Sequence, residues 1–188
     1  MLKKLYTAIA VLLIGLFFSV QAQENESNDG KKIVYKMELK GDIDPRTNRY
    51  SELALEEARA INADFVVSEM DTYGGALNDA DDMRTRIMNF EKPIYVFINK
   101  DAASAGALIS IACDSIYMSS GASIGAATVV TGDGAAAPDK YQSYMKSIMR
   151  STAEASGRDP KIAEAMVDEE LFVEGISEKG QVITFSTS

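Results

Sequence analysis

The sequence predicts an α/β domain with a mostly parallel sheet, and three observations carry that prediction. Short runs rich in β-branched and aromatic residues recur at 33–39, 65–70 and 94–98, each bounded by polar or turn-forming residues as strands are. Between them lie stretches with helical apolar spacing: Tyr50, Leu53, Ala54, Ala58 and Ile61 in the first, Leu77, Ala80, Met83, Ile87 and Met88 in the second. Strand, helix, strand at these lengths is a βαβ unit, whose crossover imposes parallel pairing.

Taken in order, residues 1–22 open on Lys3-Lys4, run apolar from Leu5 to Val20 and close on Val20-Gln21-Ala22. This reads as a secretory signal peptide cleaved after Ala22. A retained membrane anchor is the alternative, the run being near the lower length limit for a span. Either way the domain is expected to be exported, on the periplasmic or extracytoplasmic face. Residues 23–32 are polar throughout and read as a flexible leader, so the folded domain is expected over 33–188.

Gly41 to Pro45 is the first turn, and the helix over 46–61 follows it. After the strand at 65–70 comes Asp71-Thr72-Tyr73-Gly74-Gly75, then a helix over 76–90. A glycine pair there is a tight turn, or else bare backbone N–H groups at a helix N-terminus, able to stabilise an oxyanion. The strand at 94–98 ends in a polar break, and Ala102-Ala103-Ser104-Ala105-Gly106 leads into Ala107-Leu108-Ile109-Ser110-Ile111-Ala112, small and apolar as suits a tightly packed helix. Ser104 is there either a helix N-cap or a nucleophile on a sharp strand-to-helix elbow. Consecutive strand C-termini of a parallel sheet open on one edge, which lets Gly74-Gly75 and Ser104 face one cleft.

Further on, 113–118 reads as a short strand and Gly121-Ala122-Ser123-Ile124-Gly125-Ala126 as a small-residue turn. Ser123 is a rival nucleophile without an elbow. Residues 128–137, with Gly132 and Gly134, read as a mobile loop or lid. The helix 140–156 has Tyr141, Tyr144, Met145, Ile148, Met149 and Thr152 on one face, with Lys146 beside that stripe. A short helix over 159–167, a solvated acidic run Asp168-Glu169-Glu170 and a last strand at 182–185 complete the chain.

Composition narrows the chemistry. There is no histidine, which removes a Ser/His/Asp triad, a Cys/His pair and a histidine-ligated zinc site. No metal and no cofactor are expected. The single Cys113 lies in an apolar run and reads as a small buried hydrophobe. With 19 basic against 28 acidic residues the net charge is −9, which argues against a nucleic-acid partner. A nucleophilic Ser104 therefore needs lysine or a carboxylate as its base. Lys100 is nearer in sequence, but closeness along a strand end does not aim its amine at Ser104. As a base Lys146 needs a lowered pKa, for which it would have to lie in an apolar pocket such as one lined by Met and Tyr side chains; geometry decides between the two lysines.

The segments 71–75, 102–106 and 121–126, with the helix holding Lys146, in this order and spacing, resemble the N-terminal protease domain of long NfeD-type membrane proteins. These are ClpP-class serine proteases, similar also to signal peptide peptidase A. The resemblance implies a ClpP/crotonase-like spiral of ββα units and a Ser/Lys dyad: Ser104 attacks, Lys146 takes its proton, and the oxyanion hole is the N–H groups of Gly75 and Ala105, with Gly74 shaping the turn. Tyr73 stands where the family often has proline. The resemblance further implies apolar peptide segments as substrate, a stomatin-like membrane protein as partner, and a homo-oligomer. A non-catalytic peptide-binding module on the same fold is the alternative; an acyl-CoA hydratase or thioesterase is a second, at odds with export.

Overall fold

The computed structural model describes residues 30–188; the signal peptide expected at 1–22, and the expected leader up to residue 29, lie outside the described residues. Residues 33–188 form one compact unit. Its elements are β1 (Val34–Lys40), α1 (Pro45–Ala60), β2 (Phe65–Thr72), α2 (Leu77–Met88), β3 (Ile94–Ala103) and α3 (Ala105–Ala112), then β4 (Ser115–Met118), β5 (Ser123–Gly125), α4 (Asp139–Ala155), α5 (Pro160–Ala165) and β6 (Thr184–Ser186). The strands make one six-stranded sheet in the order β1-β2-β3-β5-β6, with β4 also paired to β3. Every pairing is parallel except β5 with β6. The predicted α/β class with a mostly parallel sheet is what the chain adopts.

Local chemistry explains the entry to α1. The Asp44 carboxylate accepts the N–H groups of Arg46 and Thr47, both at 2.9 Å, and Pro45 fills the first helical position. Capping and a pre-set φ start the helix there. The strands alternate in burial: Val66, Ser68, Met70 and Thr72 of β2 point into the core, as do Ile94, Val96 and Ile98 of β3. Met83 and Ile87 of α2 and Met145 and Met149 of α4 join them there. Each of the large apolar side chains among them contributes about 1.5–3 kcal/mol by leaving water. α3 is buried on every side, which its sequence of small and apolar residues permits.

Two expectations are corrected by β3. The polar stretch after Ile98 does not end the strand but bulges it: Met70 pairs with Ile98 and Thr72 with Ala102, so the single residue Asp71 of β2 opposes three residues of β3, Asn99 to Asp101. Before the bulge β3 pairs with β4, from Tyr95 with Ser115 to Ile98 with Met118; after it, Asp101–Ala103 pair with Ser123–Gly125. The segment around Ser123, expected as a turn, is therefore the strand β5. A bulge bends and re-aims a strand, and here it changes β3's neighbour and carries its end to Ser104.

Candidate active site

Ser104 stands between the end of β3 and the start of α3 with φ 54° and ψ −116°. A residue with a side chain held in this sparsely populated region costs on the order of 1–3 kcal/mol. Its hydroxyl caps nothing: the serine makes no side-chain cap hydrogen bond, and the N–H groups of Ala107 and Leu108 go to its carbonyl at 3.0 and 3.3 Å. Of the two readings of this serine, the local geometry is that of the elbow. The elbow is fixed from both sides. The Ser104 N–H donates to the Gly125 carbonyl at 2.9 Å, and α3 sits so close to β2 that a Cβ on Gly106 would lie 2.5 Å from the Thr72 methyl.

Thr72 also builds the glycine turn. Its hydroxyl donates to the Gly41 carbonyl at 2.5 Å and accepts the Gly74 N–H at 3.0 Å. Gly74 and Gly75 follow with φ of 113° and 154°. Ile43 bridges this turn, its N–H donating to the Gly74 carbonyl at 2.9 Å and its carbonyl accepting the Ala76 N–H at 2.7 Å. In such a parallel bridge the middle residue's own N–H points away from the bridging strand. The Gly75 N–H is thus turned from Ile43, while the Ala105 N–H is one of the first-turn donors that a helix leaves without an internal partner. A Cβ on Gly74 would come within 2.7 Å of the Ser104 Cβ, and one on Gly75 would overlap the Ile43 carbonyl. Both positions need glycine.

Gly75, Ser104 and Ala105 line one cleft of about 850 Å³, the shared edge that the parallel sheet predicts. Leu77, Val129, Tyr141, Met145 and Val182 line it too, and none of its lining residues is charged. The segment expected as a lid is a small antiparallel turn in which Val130 bridges Ala136. Gln142 of α4 clips it at the base: its side-chain amide donates to the Val129 carbonyl at 2.6 Å and its oxygen accepts the Val129 N–H at 3.0 Å.

Lys146 is one residue, about 100° of helix, beyond Met145, and is not among the residues lining the cleft. Its amine donates to Asp168 Oδ2 at 2.7 Å, the two side chains 28% and 23% exposed. The acidic run expected to be solvated thus supplies the partner of Lys146, whose ammonium holds the Asp168 carboxyl below the usual carboxylate range. Lys100 is exposed and donates to the Tyr73 hydroxyl at 3.1 Å, a contact that raises its pKa. Ser123 donates to Asp101 at 2.6 Å. Cys113 is fully buried, its thiol pushed up to about 12 by desolvation. The contacts of Thr72, Gln142 and Asp168 are not legible in the sequence, because hydroxyl, amide and carboxylate groups carry no spacing signal for partners brought together by the fold.

Comparison with known proteins gives the family and the fold. The profile of the NfeD1b N-terminal domain matches residues 33–188. Membrane protein NfeD1b of Bacillus subtilis is 32% identical over 93% of this chain and 40% of its own length. The membrane-bound protease PH1510 of Pyrococcus horikoshii is 32% identical over 75% of this chain and 34% of its own. The chain thus spans well under half the length of these relatives. Among solved structures, a lysine-to-alanine variant of the 1510-N membrane-bound stomatin-specific protease, in complex with a substrate peptide, aligns with TM-score 0.70 and 30% identity over 76% of this chain and 68% of that one. ClpP1 from Listeria monocytogenes aligns with TM-score 0.59 at 16% identity over 81% of this chain and 82% of its own, a likeness of fold alone. The ClpP-like fold expected of the sequence is therefore present, and the protein belongs to the NfeD1b N-terminal domain family.

Proposed function

We propose that the protein is a serine endopeptidase that cleaves apolar peptide segments with Ser104 as nucleophile and Lys146 as general base. The observation that carries this reading is the strained elbow of Ser104, its hydroxyl spent on no cap, opening on an uncharged cleft beside the Gly74-Gly75 turn. Strain of this kind persists where the surrounding structure holds it for use. In the proposed reaction the Ser104 Oγ attacks the peptide carbonyl carbon and its proton passes to the neutral Lys146 amine. The carbonyl oxygen becomes an oxyanion, which the N–H groups of Gly75 and Ala105 receive. Collapse of the intermediate breaks the C–N bond, Lys146 returns the proton to the leaving amine, and water then hydrolyses the acyl-serine by the reverse sequence.

An apolar, uncharged cleft suits an apolar segment, because a charged side chain buried there would lose its hydration without a partner. The relative described as stomatin-specific supports a stomatin-like membrane protein as partner. Export, membrane association of the whole protein and a homo-oligomer belong to the same proposal. No helix among the described residues is long and apolar enough to cross a membrane. The competing reading, a non-catalytic peptide-binding module, is favoured by one contact: Lys146 is hydrogen-bonded to Asp168 and not to Ser104.

The two readings are separated by incubating the protein with a panel of apolar peptides beside Ser104→Ala and Lys146→Ala, with products read by mass. Cleavage by the unsubstituted protein alone supports the peptidase. Equal binding by all three proteins with no cleavage supports the module.

A further inference from the structure

Resting on the peptidase reading, we infer that Asp168 is a positioning residue: it holds Lys146 as an ammonium turned from Ser104 until a peptide seated against the cleft wall at 126–130 loosens the pair.

The first ground is the chemistry of the contact. An amine 2.7 Å from a carboxylate oxygen, both partly buried, is a protonated donor with no lone pair to accept the Ser104 proton. Serving as a base requires that the contact break and that one proton leave Lys146 for solvent. The second ground is how firmly Asp168 is held. Its other carboxylate oxygen accepts the Glu170 N–H at 3.1 Å, its own N–H donates to the Glu164 carbonyl at 3.0 Å, and its carbonyl accepts the Leu171 N–H at 3.2 Å. The aspartate does not follow the lysine. The lysine has to leave it.

The third ground is what the Asp168 segment hangs from. The Ala127 N–H donates to the Met166 carbonyl at 2.7 Å, the Thr128 hydroxyl to the Val167 carbonyl at 3.2 Å, and the Ala126 N–H to the Ile183 carbonyl at 3.1 Å. Ala126 and Thr128 line the cleft, and Gly125, just before them, holds the Ser104 N–H. One short segment thus ties the nucleophile at one end and the partner of the base at the other. A peptide pressed on this wall bears on the backbone that carries Asp168, across from α4, which carries Lys146. Glu169 and Glu170 follow Asp168 on the same segment, and Arg150, one turn beyond Lys146 on α4, pairs with Glu164 of α5 at 3.3 Å; the ion pair that Lys146 makes is with Asp168.

The test is the pH dependence of Ser104 labelling by a fluorophosphonate, read by intact mass, in the unsubstituted protein, Asp168→Asn and Lys146→Ala. Removing the carboxylate charge is expected to lower the labelling midpoint by about one pH unit and to raise the rate at neutral pH roughly tenfold. An Asp168 that merely supports the fold would lower the rate at every pH and leave the midpoint in place, which overturns the inference, as does an upward shift. If Asp168→Asn folds poorly, a second measurement keeps the inference exposed. The Lys146 amine is titrated by NMR in Ser104→Ala with and without an apolar peptide. A midpoint that falls on peptide addition supports the inference, and an unmoved one ends it. Absence of labelling in every protein at every pH would instead overturn the peptidase reading, and the lysine titration would still report on the pair.

Discussion

Ser104 shows how a residue can be marked by its backbone before its chemistry is considered. A φ of 54° with ψ of −116° suits glycine better than any residue with a Cβ, so the proposed role as nucleophile and stability are set against each other at this position. Ser104→Gly is expected to be more stable than Ser104→Ala by about 1 kcal/mol in denaturant melts. Both should reduce cleavage by roughly three orders of magnitude or more, as loss of a nucleophile does. The glycine pair separates in the opposite sense. Gly74→Ala presses on the Ser104 side chain, and Gly75→Ala on the backbone of Ile43. Both variants should lose activity, but Gly75→Ala should also lose on the order of 3 kcal/mol of stability, because a backbone carbonyl cannot swing aside. Buried hydroxyls offer a converse case. Ser110 has no hydrogen-bond partner and no exposure, so Ser110→Ala should stabilise the protein by about 1 kcal/mol in the same melts.

Among the elements, β3 is where the sequence was least legible. Its first half reads as a strand because it is apolar and β-branched, and it is one. Its second half, Asn99 to Asp101, reads as a break because polar residues are poor company for a core. It continues because a bulge turns those side chains outward while Ala102 stays buried. The same change of neighbour hid β5, whose three residues are too few to carry a periodic pattern. The long helices are legible, since a 3.6-residue period over 12–17 residues leaves little freedom. The site follows this division. Ser104 and the glycines are legible because they sit at element junctions, where residue type is dictated by backbone geometry. Asp168 reads as a solvated acid because nothing local distinguishes it from Glu169 and Glu170. The cap of α1 is open to a direct check: Asp44→Ala should cost about 1 kcal/mol, measured as a shift in the urea midpoint without a change in slope.

For the whole molecule, acidity is the condition that should undo the fold. Asp44 and Glu69 both have carboxyls drawn down to about 2, the first chiefly by the Thr47 N–H and the Arg46 side chain, the second by Lys36 and Lys40; Asp168 is lowered by Lys146. A carboxyl whose pKa is lower in the folded state than its unfolded value of about 4 stabilises above that value. The contribution is lost as pH falls through the folded pKa. Stability should therefore hold from neutral pH down to about 5 and decline between about 4 and 2, as read from urea midpoints across that range. The two lysines around Glu69 are exposed, and added salt should weaken their share.

By itself the sequence determined the class of fold, the exclusion of histidine chemistry and the serine at the elbow, because apolar periodicity, composition and junction residues are local properties that no neighbour alters. Only the tertiary structure decided that β3 bends onto β5, that the Ser104 hydroxyl caps no helix, and that Lys146 lies against Asp168. Each of these is a pairing between groups far apart in the chain, and its choice rests on which backbone and which charge the folded sheet brings within about 3 Å. Residue identity limits the possible partners, but packing selects among them.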